Sequence, residues 1–551
     1  MDVILVGLPG SGKSAVGRRV AQRHGATFID LDETIERAAG LGIPEIFAAE
    51  GEDGFRGRER LAVESLGEAD PAPEVRRVVA TGGGAVLHPR NRWHLYRRRV
   101  AIWLDGRPEV LAQRLRRSPN IRPLVASRDP IGAVRTLGAA RGRFYAAARR
   151  VNGVAEISSV IDAVEAIVGE AAAARAAGRP AGCVLLRAET RIGRLVLGEG
   201  IAADETAAAL ERLRAARALL LSEPGAWQEA GKELAESLAR SGLKVERILF
   251  PQGEEAKRLA AVEAAARELA ALRAERGEPL VAIGGGALGD AAGFLSATWL
   301  RGVPFIQVPT TLVAQVDSSI GGKTGVDLPE GKNLVGAFHQ PDTIVSDIGL
   351  LRSLPPRQLR AALGEIVKMA VLGDERLFAL LESDGAAIAR GDDGAFESGA
   401  VAEVVERAAW AKVEVVLADE RDEAGRAVLN LGHSLGHAFE AAGGFRELLH
   451  GEAVAYGLRA ASRIAVALGR MPAARAERVE GLLTKLGLAT APLPYSLVAV
   501  RDALAADKKH AGGQLQWVLP TADGVVTDGG VPTELVDKVA AGLLVADGVA
   551  A

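Results

Sequence analysis

The sequence predicts an α/β chain built as two units. Two observations carry the α/β reading. Over residues 1–170 and again over 205–310, short apolar runs alternate with helical periodicity, the pattern of a parallel sheet with crossover helices. At residues 7–14 and 284–294, a glycine-rich loop directly follows an apolar strand. A third observation subdivides the chain. From about 355 to 490 the periodicity is mostly helical. We therefore expect a parallel sheet flanked by helices in 1–175, a second α/β half in 183–354, and an α-helical half in 355–551.

Taken in order, Val3–Val6, Val78–Thr81 and Val100–Leu104 read as buried strands. Residues 162–177 read as an alanine-rich helix, which the GRPAG stretch at 178–182 ends. A fresh strand pattern, CVLLRAETRIGRLVLGEG, follows, and Pro279–Ile283 and Phe305–Val308 read as further strands. With 551 residues, several domains are expected, and an apolar fraction of 48% is ample for their cores. A net charge of -3 disfavours a general nucleic-acid or membrane-surface role. No apolar run approaches the roughly 20 residues of a membrane span, and no secretory leader precedes the first strand. The lone Cys183 fits a reducing, cytoplasmic setting.

Residues 7–14, Gly-Leu-Pro-Gly-Ser-Gly-Lys-Ser, match GxxxxGKS in full. Such a loop wraps phosphates with backbone N–H groups from Gly10 to Ala15, including Ser11 and Gly12. Lys13 reaches the β/γ-phosphates and Ser14 ligates Mg²⁺. Asp30 and Asp32 lie two apart at an expected strand end and share one face. Arg56 follows in GEDGFRGRE, TGGG closes a strand at 81–84, and Arg141 lies in RGRFY. The 114–128 stretch, RLRRSPNIRPLVASR, is arginine-rich and irregular, as a lid over ATP would be.

In their order, these motifs resemble shikimate kinase across residues 1–170. The resemblance implies that Asp32, Arg56, Gly83 and Arg141 hold shikimate and that Arg122 closes over the nucleotide. Asp32 would orient or deprotonate the attacking hydroxyl. Arginine suits a carboxylate substrate because it binds bidentately. Phosphoryl transfer needs mainly positioning and charge neutralisation. One departure is Ala15, where the family often has threonine. A gluconate kinase-like enzyme shares the loop layout, but the GFR and GGG elements favour shikimate.

The second glycine loop, GGGALGDAAGF, is not GxGxxG, so the usual dinucleotide fingerprint is absent. Residues 308–333 carry Asp317, Lys323, Lys332 and Asn333 among many glycines, which suggests an anionic, phosphorylated substrate. LNLGHSLGHAFE puts His433 and His437 four apart on one helix face. His450 follows in LLHGEAV, and LGEIVKMA places Glu365 and Lys368 on another helix. Histidine with carboxylate is the donor set of a catalytic zinc. Ser434 rules out HExxH.

These blocks, with GEEAK at 253–257, GKNLVGAF and ADKK, resemble 3-dehydroquinate synthase over roughly 183–545. The resemblance implies NAD on Glu254, Lys257, the 286–290 loop with Gly286, Gly289 and Asp290, Thr310, Thr311, Lys323, Lys332 and Ser353. Zinc or cobalt would sit on Glu365, His433 and His450. Asp317, Lys323, Lys332, Asn333, Lys368, Lys412, Arg426, Asn430 and His437 would line the substrate pocket, with Lys508 or Lys509. His437 is expected to move a proton near the metal. Ser353 departs from the family's usual threonine but keeps the hydroxyl. The implied reaction takes a seven-carbon phosphorylated keto acid to a cyclic ketone with loss of phosphate. Family members commonly pair, so a homodimer through this unit is expected. The competing readings are another sugar-phosphate cyclase such as an inosose synthase, a polyol dehydrogenase with net NAD turnover, or one catalytically dead half.

Overall fold

Asp2–Val6 forms a strand that is buried throughout, because every side chain on it meets sheet or helix. The computed structural model describes residues 1–117, 129–178, 181–423, 425–510 and 515–545, with side chains in the helix Leu497–His510 described only to Ala506. Arg122, Lys508 and Lys509 therefore lie outside the described side chains. The described chain divides into two compact units. One comprises Met1–Thr190, Arg194–Glu205 and Val345–Gly349, and the other holds the remainder.

In the first unit the strands are β1 (Asp2–Val6), β2 (Thr27–Asp30), β3 (Arg77–Ala80), β4 (Val100–Asp105) and β5 (Arg149–Asn152). They pair in the order β2-β3-β1-β4-β5, and every pairing is parallel. The helices are α1 (Lys13–His24), α2 (Leu31–Ala39), α3 (Ile43–Glu64), α4 (Pro89–Tyr96), α5 (Pro108–Arg116), α6 (Pro130–Tyr145) and α7 (Ile157–Ala176). Val3, Leu5, Val78, Ile102 and Leu104 meet Val16, Val20, Val160 and Val164 in one apolar core. Two further strands, β6 (Cys183–Thr190) and β7 (Gly193–Glu199), follow. Strand β6 was expected to open the second unit, yet it groups with the first. The reason is local: β6 lies along α4 and α6. The fully buried Arg92 donates from Nε to Leu185 O at 3.0 Å, and Arg187 donates to Ala146 O at 2.8 Å.

The remaining chain begins with α8 (Ala202–Arg212), β8 (Arg217–Ser222), the single turn α9 (Pro224–Ala226), α10 (Lys232–Arg240) and β9 (Lys244–Leu249). It continues with α11 (Leu259–Ala271), β10 (Leu280–Gly284), α12 (Gly286–Thr298) and β11 (Phe305–Pro309). In the second unit β10 pairs in parallel with both β8 and β11, and β9 with β8. The core beneath them joins Leu219, Leu221, Leu280, Leu288, Leu295 and Phe305. An antiparallel hairpin follows, β12 (Lys323–Leu328) and β13 (Gly331–Phe338). After β14 (Thr343–Asp347) come the helices α13 (Pro356–Val371), α14 (Glu375–Arg390), the short α15 (Asp393–Glu397), α16 (Ala400–Ala418), α17 (His433–Ala442), α18 (His450–Ala467), α19 (Ala473–Lys485) and α20 (Leu497–His510). The expected all-helical half is interrupted by an antiparallel pair, β15 (Trp517–Pro520) and β16 (Val525–Asp528), before α21 (Thr533–Ala541). No helix among the described residues is long and apolar enough to cross a membrane.

Candidate active sites

In the first unit, the loop between β1 and α1 turns on Gly7, Gly10 and Gly12, all at positive φ. Only glycine adopts such angles freely. The loop curls so that Lys13 Nζ donates to Gly7 O at 2.9 Å and Leu8 O at 3.1 Å. Ser14 Oγ donates to Asp30 Oδ2 at 2.6 Å, so the hydroxyl expected on Mg²⁺ already faces a carboxylate. The shared-face reading of Asp30 and Asp32 is corrected here. Asp30 ends β2 and caps α2, accepting from Asp32 N at 3.1 Å, while Asp32 lies in the first helical turn. Helical geometry, and not strand alternation, sets where Asp32 points.

The glycines after β3 form a floor against which Asp32, Glu59, Arg141 and Arg56 press. A Cβ on Gly82 would lie 2.8 Å from Asp32 Oδ1 and 3.0 Å from Glu59 Oε1. One on Gly83 would lie 3.3 Å from Arg141 Nη1, and one on Gly84 would overlap the Arg56 guanidinium. Asp32, Arg56, Gly83 and Arg141 thus lie together around these glycines. Pro9 of the phosphate loop also borders Gly83. Sequence reasoning missed Glu59. It is buried, and its Oε2 accepts from Arg56 Nη1 at 2.8 Å. Burial pushes its carboxyl pKa up, with Arg56 pulling the other way. Its place three residues after Arg56 on one helix was the available signal. Tyr145, held by burial at a pKa of about 12, donates its hydroxyl to Gly83 O.

In the second unit a cleft of about 1600 Å³ gathers most of the expected residues. Glu254, Lys257, Gly286, Asp290, Thr310, Thr311, Asp317, Lys323, Lys332, Asn333 and Ser353 line it, as do Lys368, Lys412, Arg426, Asn430, His433, His437 and His450. Glu365 and Gly289 are not part of this lining. A Cβ on Gly289 would lie 3.1 Å from Gln307 Oε1, so it packs α12 on β11. Lys257 Nζ reaches Asp290 Oδ2 at 2.9 Å and Asn333 Oδ1 at 2.5 Å. Lys332 meets Glu254 at 2.9 Å. Lys323 donates to Asp422, a residue outside the expected set. Arg426 Nη1 donates to Gly321 O at 3.0 Å.

Glycine contacts also bring the metal-type ligands together. Gly364 on α13 and Gly451 on α18 approach so closely that a Cβ on Gly451 would overlap the Ala361 carbonyl oxygen. Their chain neighbours are Glu365 and His450. Likewise a Cβ on Gly457 would overlap the carbonyl oxygen of Gly432, the residue before His433. Glu365, fully buried, ends 3.0 Å from His450 Nε2 and 3.5 Å from His433 Nε2. One nitrogen from each of His433, His437 and His450 lies within 4.8 Å of the others.

Both Glu365 oxygens are buried without a well-aligned hydrogen bond, although Lys368 Nζ is 2.6 Å away. That combination fits a carboxylate awaiting a cation. Burial opposes its charge, but Lys368, His433 and His450 hold it well below the usual carboxylate range. Burial holds His433 neutral, with a pKa near 3, leaving a ring nitrogen for a ligand. On His450 burial is outweighed by Glu365 and Glu440, which hold its pKa at about 10. Behind the cluster, Asp317 accepts from Lys412 at 2.8 Å and lies 3.9 Å from Lys368. Burial lowers Lys412, and Glu365 and Asp317 together overcome burial to raise Lys368.

The 3-dehydroquinate synthase N-terminal family matches residues 247–361 and its C-terminal counterpart residues 362–510. A 3-dehydroquinate synthase of Thermosynechococcus vestitus is 43% identical over 325 residues, covering 58% of this chain and 87% of that protein. This chain belongs to the 3-dehydroquinate synthase family. The shikimate kinase family matches residues 9–171, so the synthase is joined to a shikimate kinase domain in one bifunctional chain of the shikimate pathway. Two solved structures resemble the synthase unit. One is 2-epi-5-epi-valiolone synthase from Streptomyces hygroscopicus with NAD+ and Zn2+ bound, 30% identical, with a TM-score of 0.59 over 63% of this chain and 96% of that one. The other is 2-deoxy-scyllo-inosose synthase with carbaglucose-6-phosphate, NAD+ and Co2+, 26% identical, with a TM-score of 0.57 over 64% and 97%.

Proposed function

We propose that the first unit transfers the γ-phosphoryl group of ATP to shikimate. The second converts 3-deoxy-D-arabino-heptulosonate 7-phosphate to 3-dehydroquinate and phosphate. In the kinase, Arg56 and Arg141 grip the substrate carboxylate, and Asp32 orients or deprotonates the attacking hydroxyl. The loop from Gly10 to Ala15 holds the phosphates. Ser14, whose hydroxyl donates to Asp30, would hold the Mg²⁺. Arg122 is proposed for the nucleotide from the family resemblance.

For the synthase, the carrying observation is the buried carboxylate of Glu365, without a well-aligned hydrogen bond, facing His433 and His450, which line a lysine-rich cleft. Those three residues would hold Zn²⁺ or Co²⁺, and Glu254, Lys257, Asp290, Thr310, Thr311, Lys323, Lys332 and Ser353 would hold NAD. When bound, NAD⁺ supplies reversible hydride acceptance and the metal supplies polarisation of the adjacent oxygen. The chain's own side chains do the rest. Lys323, Lys332, Lys368, Lys412, Arg426 and Asn430 bind the phosphate and carboxylate, together with Lys508 or Lys509. Asp317 holds Lys412 in place. His437, next to both histidine ligands, moves the proton from the hydroxyl that is oxidised.

The test is phosphate release from the heptulosonate phosphate at catalytic NAD. Stoichiometric phosphate without accumulating NADH is expected. Net NADH would instead mean a dehydrogenase. We also propose a cytoplasmic homodimer paired through the synthase unit, on the strength of the family resemblance and the lone reduced cysteine. Light scattering giving one chain per particle would contradict the dimer.

A further inference from the structure

Glu440 is absent from the residues that the family resemblance assigns, yet it touches groups from both sides of the synthase site. It lies on α17, seven residues after His433 and three after His437, and is buried to 4% exposure. Its Oε2 is 3.1 Å from His450 Nδ1, and its Oε1 is 3.7 Å from Lys332 Nζ. The same Lys332 Nζ is 2.9 Å from Glu254 on its other side. An ionised carboxylate only accepts hydrogen bonds, so the His450 Nδ1 must carry the proton. Nε2 faces the Glu365 carboxylate 3.0 Å away and, for the same reason, carries a proton until a metal takes its place. Burial works against charge on Glu440, but His450 and Lys332 hold its carboxyl below the usual range. A buried carboxylate that touches one imidazole and one ammonium orients both.

We propose that Glu440 is a positioning residue with two arms: it sets the tautomer and angle of His450 for the metal and fixes Lys332 for the dinucleotide. This rests on the reading of His450 as a metal ligand and Lys332 as a nucleotide contact. The carboxylate does not meet either ligand itself. It acts through a histidine at one end and a lysine at the other, so one side chain prepares both halves of the site.

The experiment compares the full-length wild-type chain with Glu440→Gln and Glu440→Ala. Zinc affinity is measured by competition with a chromogenic chelator. NAD affinity is measured by fluorescence titration at saturating zinc. Kinase activity and the circular-dichroism melt report folding in the same samples. The expected result is a loss of zinc affinity of about 10-fold for Gln and about 100-fold for Ala, with a severalfold loss of NAD affinity in both and unchanged kinase activity. A merely structural ion pair would lower the melting temperature and leave both affinities within twofold, which overturns the proposal. Loss of zinc affinity alone overturns the second arm. A wild-type chain that takes up no stoichiometric zinc would sink the metal reading itself, a failure distinguishable from that of Glu440.

Discussion

Lys368 is a buried ammonium 2.6 Å from Glu365 and 3.9 Å from Asp317. Removing one partner of a buried pair leaves the other charge uncompensated, at a cost of about 3–5 kcal/mol. Lys368→Met is therefore expected to lower the melting temperature of metal-free protein strongly. Added zinc should raise it more in the variant than in the wild type, because the metal supplies the missing positive charge. Equal zinc shifts in both would contradict this. In the kinase, Glu59→Gln takes from Arg56 its buried carboxylate partner, leaving only the exposed Glu52 at 3.0 Å, and the lost charged hydrogen bond is an interaction of about 1.5–3 kcal/mol. A roughly tenfold or greater fall in kcat/KM for shikimate is expected, and an unchanged value would show that Arg56 is held otherwise. The ligands, lysines and phosphate loop were legible in the sequence because they sit in compact motifs with unusual residue types. Glu59, Glu440 and Asp422 were not, since one acidic residue among the 70 in the chain carries no signal until its partner is in view.

Close backbone approach decides whether the ligand set assembles. Gly364–Glu365 and His450–Gly451 are adjacent pairs on α13 and α18, and the glycines are where those helices touch. Gly451→Ala pushes a methyl group into the Ala361 carbonyl and must part the helices. Synthase activity and zinc binding are expected to fall to background while kinase activity stays within twofold. Retained zinc binding would show that the helices tolerate the shift. The expected strands at 3–6, 78–81, 100–104, 279–283 and 305–308 all exist, within a residue or two at their ends. They were readable because each is an apolar run bounded by breakers. The orientation of Asp32 was not readable, because a strand that hands over to a helix at Asp30 changes the side-chain period within one residue. Nor could periodicity say that a given glycine is there for contact.

At the scale of the whole chain, the seam is less simple than the GRPAG break suggests. Strand β6 shields α4 and α6, with Leu185 and Leu186 both 1% exposed. A kinase piece ending at residue 178 is expected to be markedly less stable than the same unit in the full chain, as a denaturant melt followed by kinase activity would report. Cys183 offers a second probe of this region. It is buried, and burial pushes its thiol pKa up, so it should resist alkylation in native protein and react once β6 is released. Rapid native labelling would contradict the packing. The central claim is that one chain carries two complete and separate active sites. Its most direct test assays both reactions in two variants of the full chain. Lys13→Ala should lose shikimate phosphorylation and keep phosphate release from the heptulosonate phosphate, and His433→Ala should do the reverse. Loss of both activities in either variant, with the fold intact, would contradict the account.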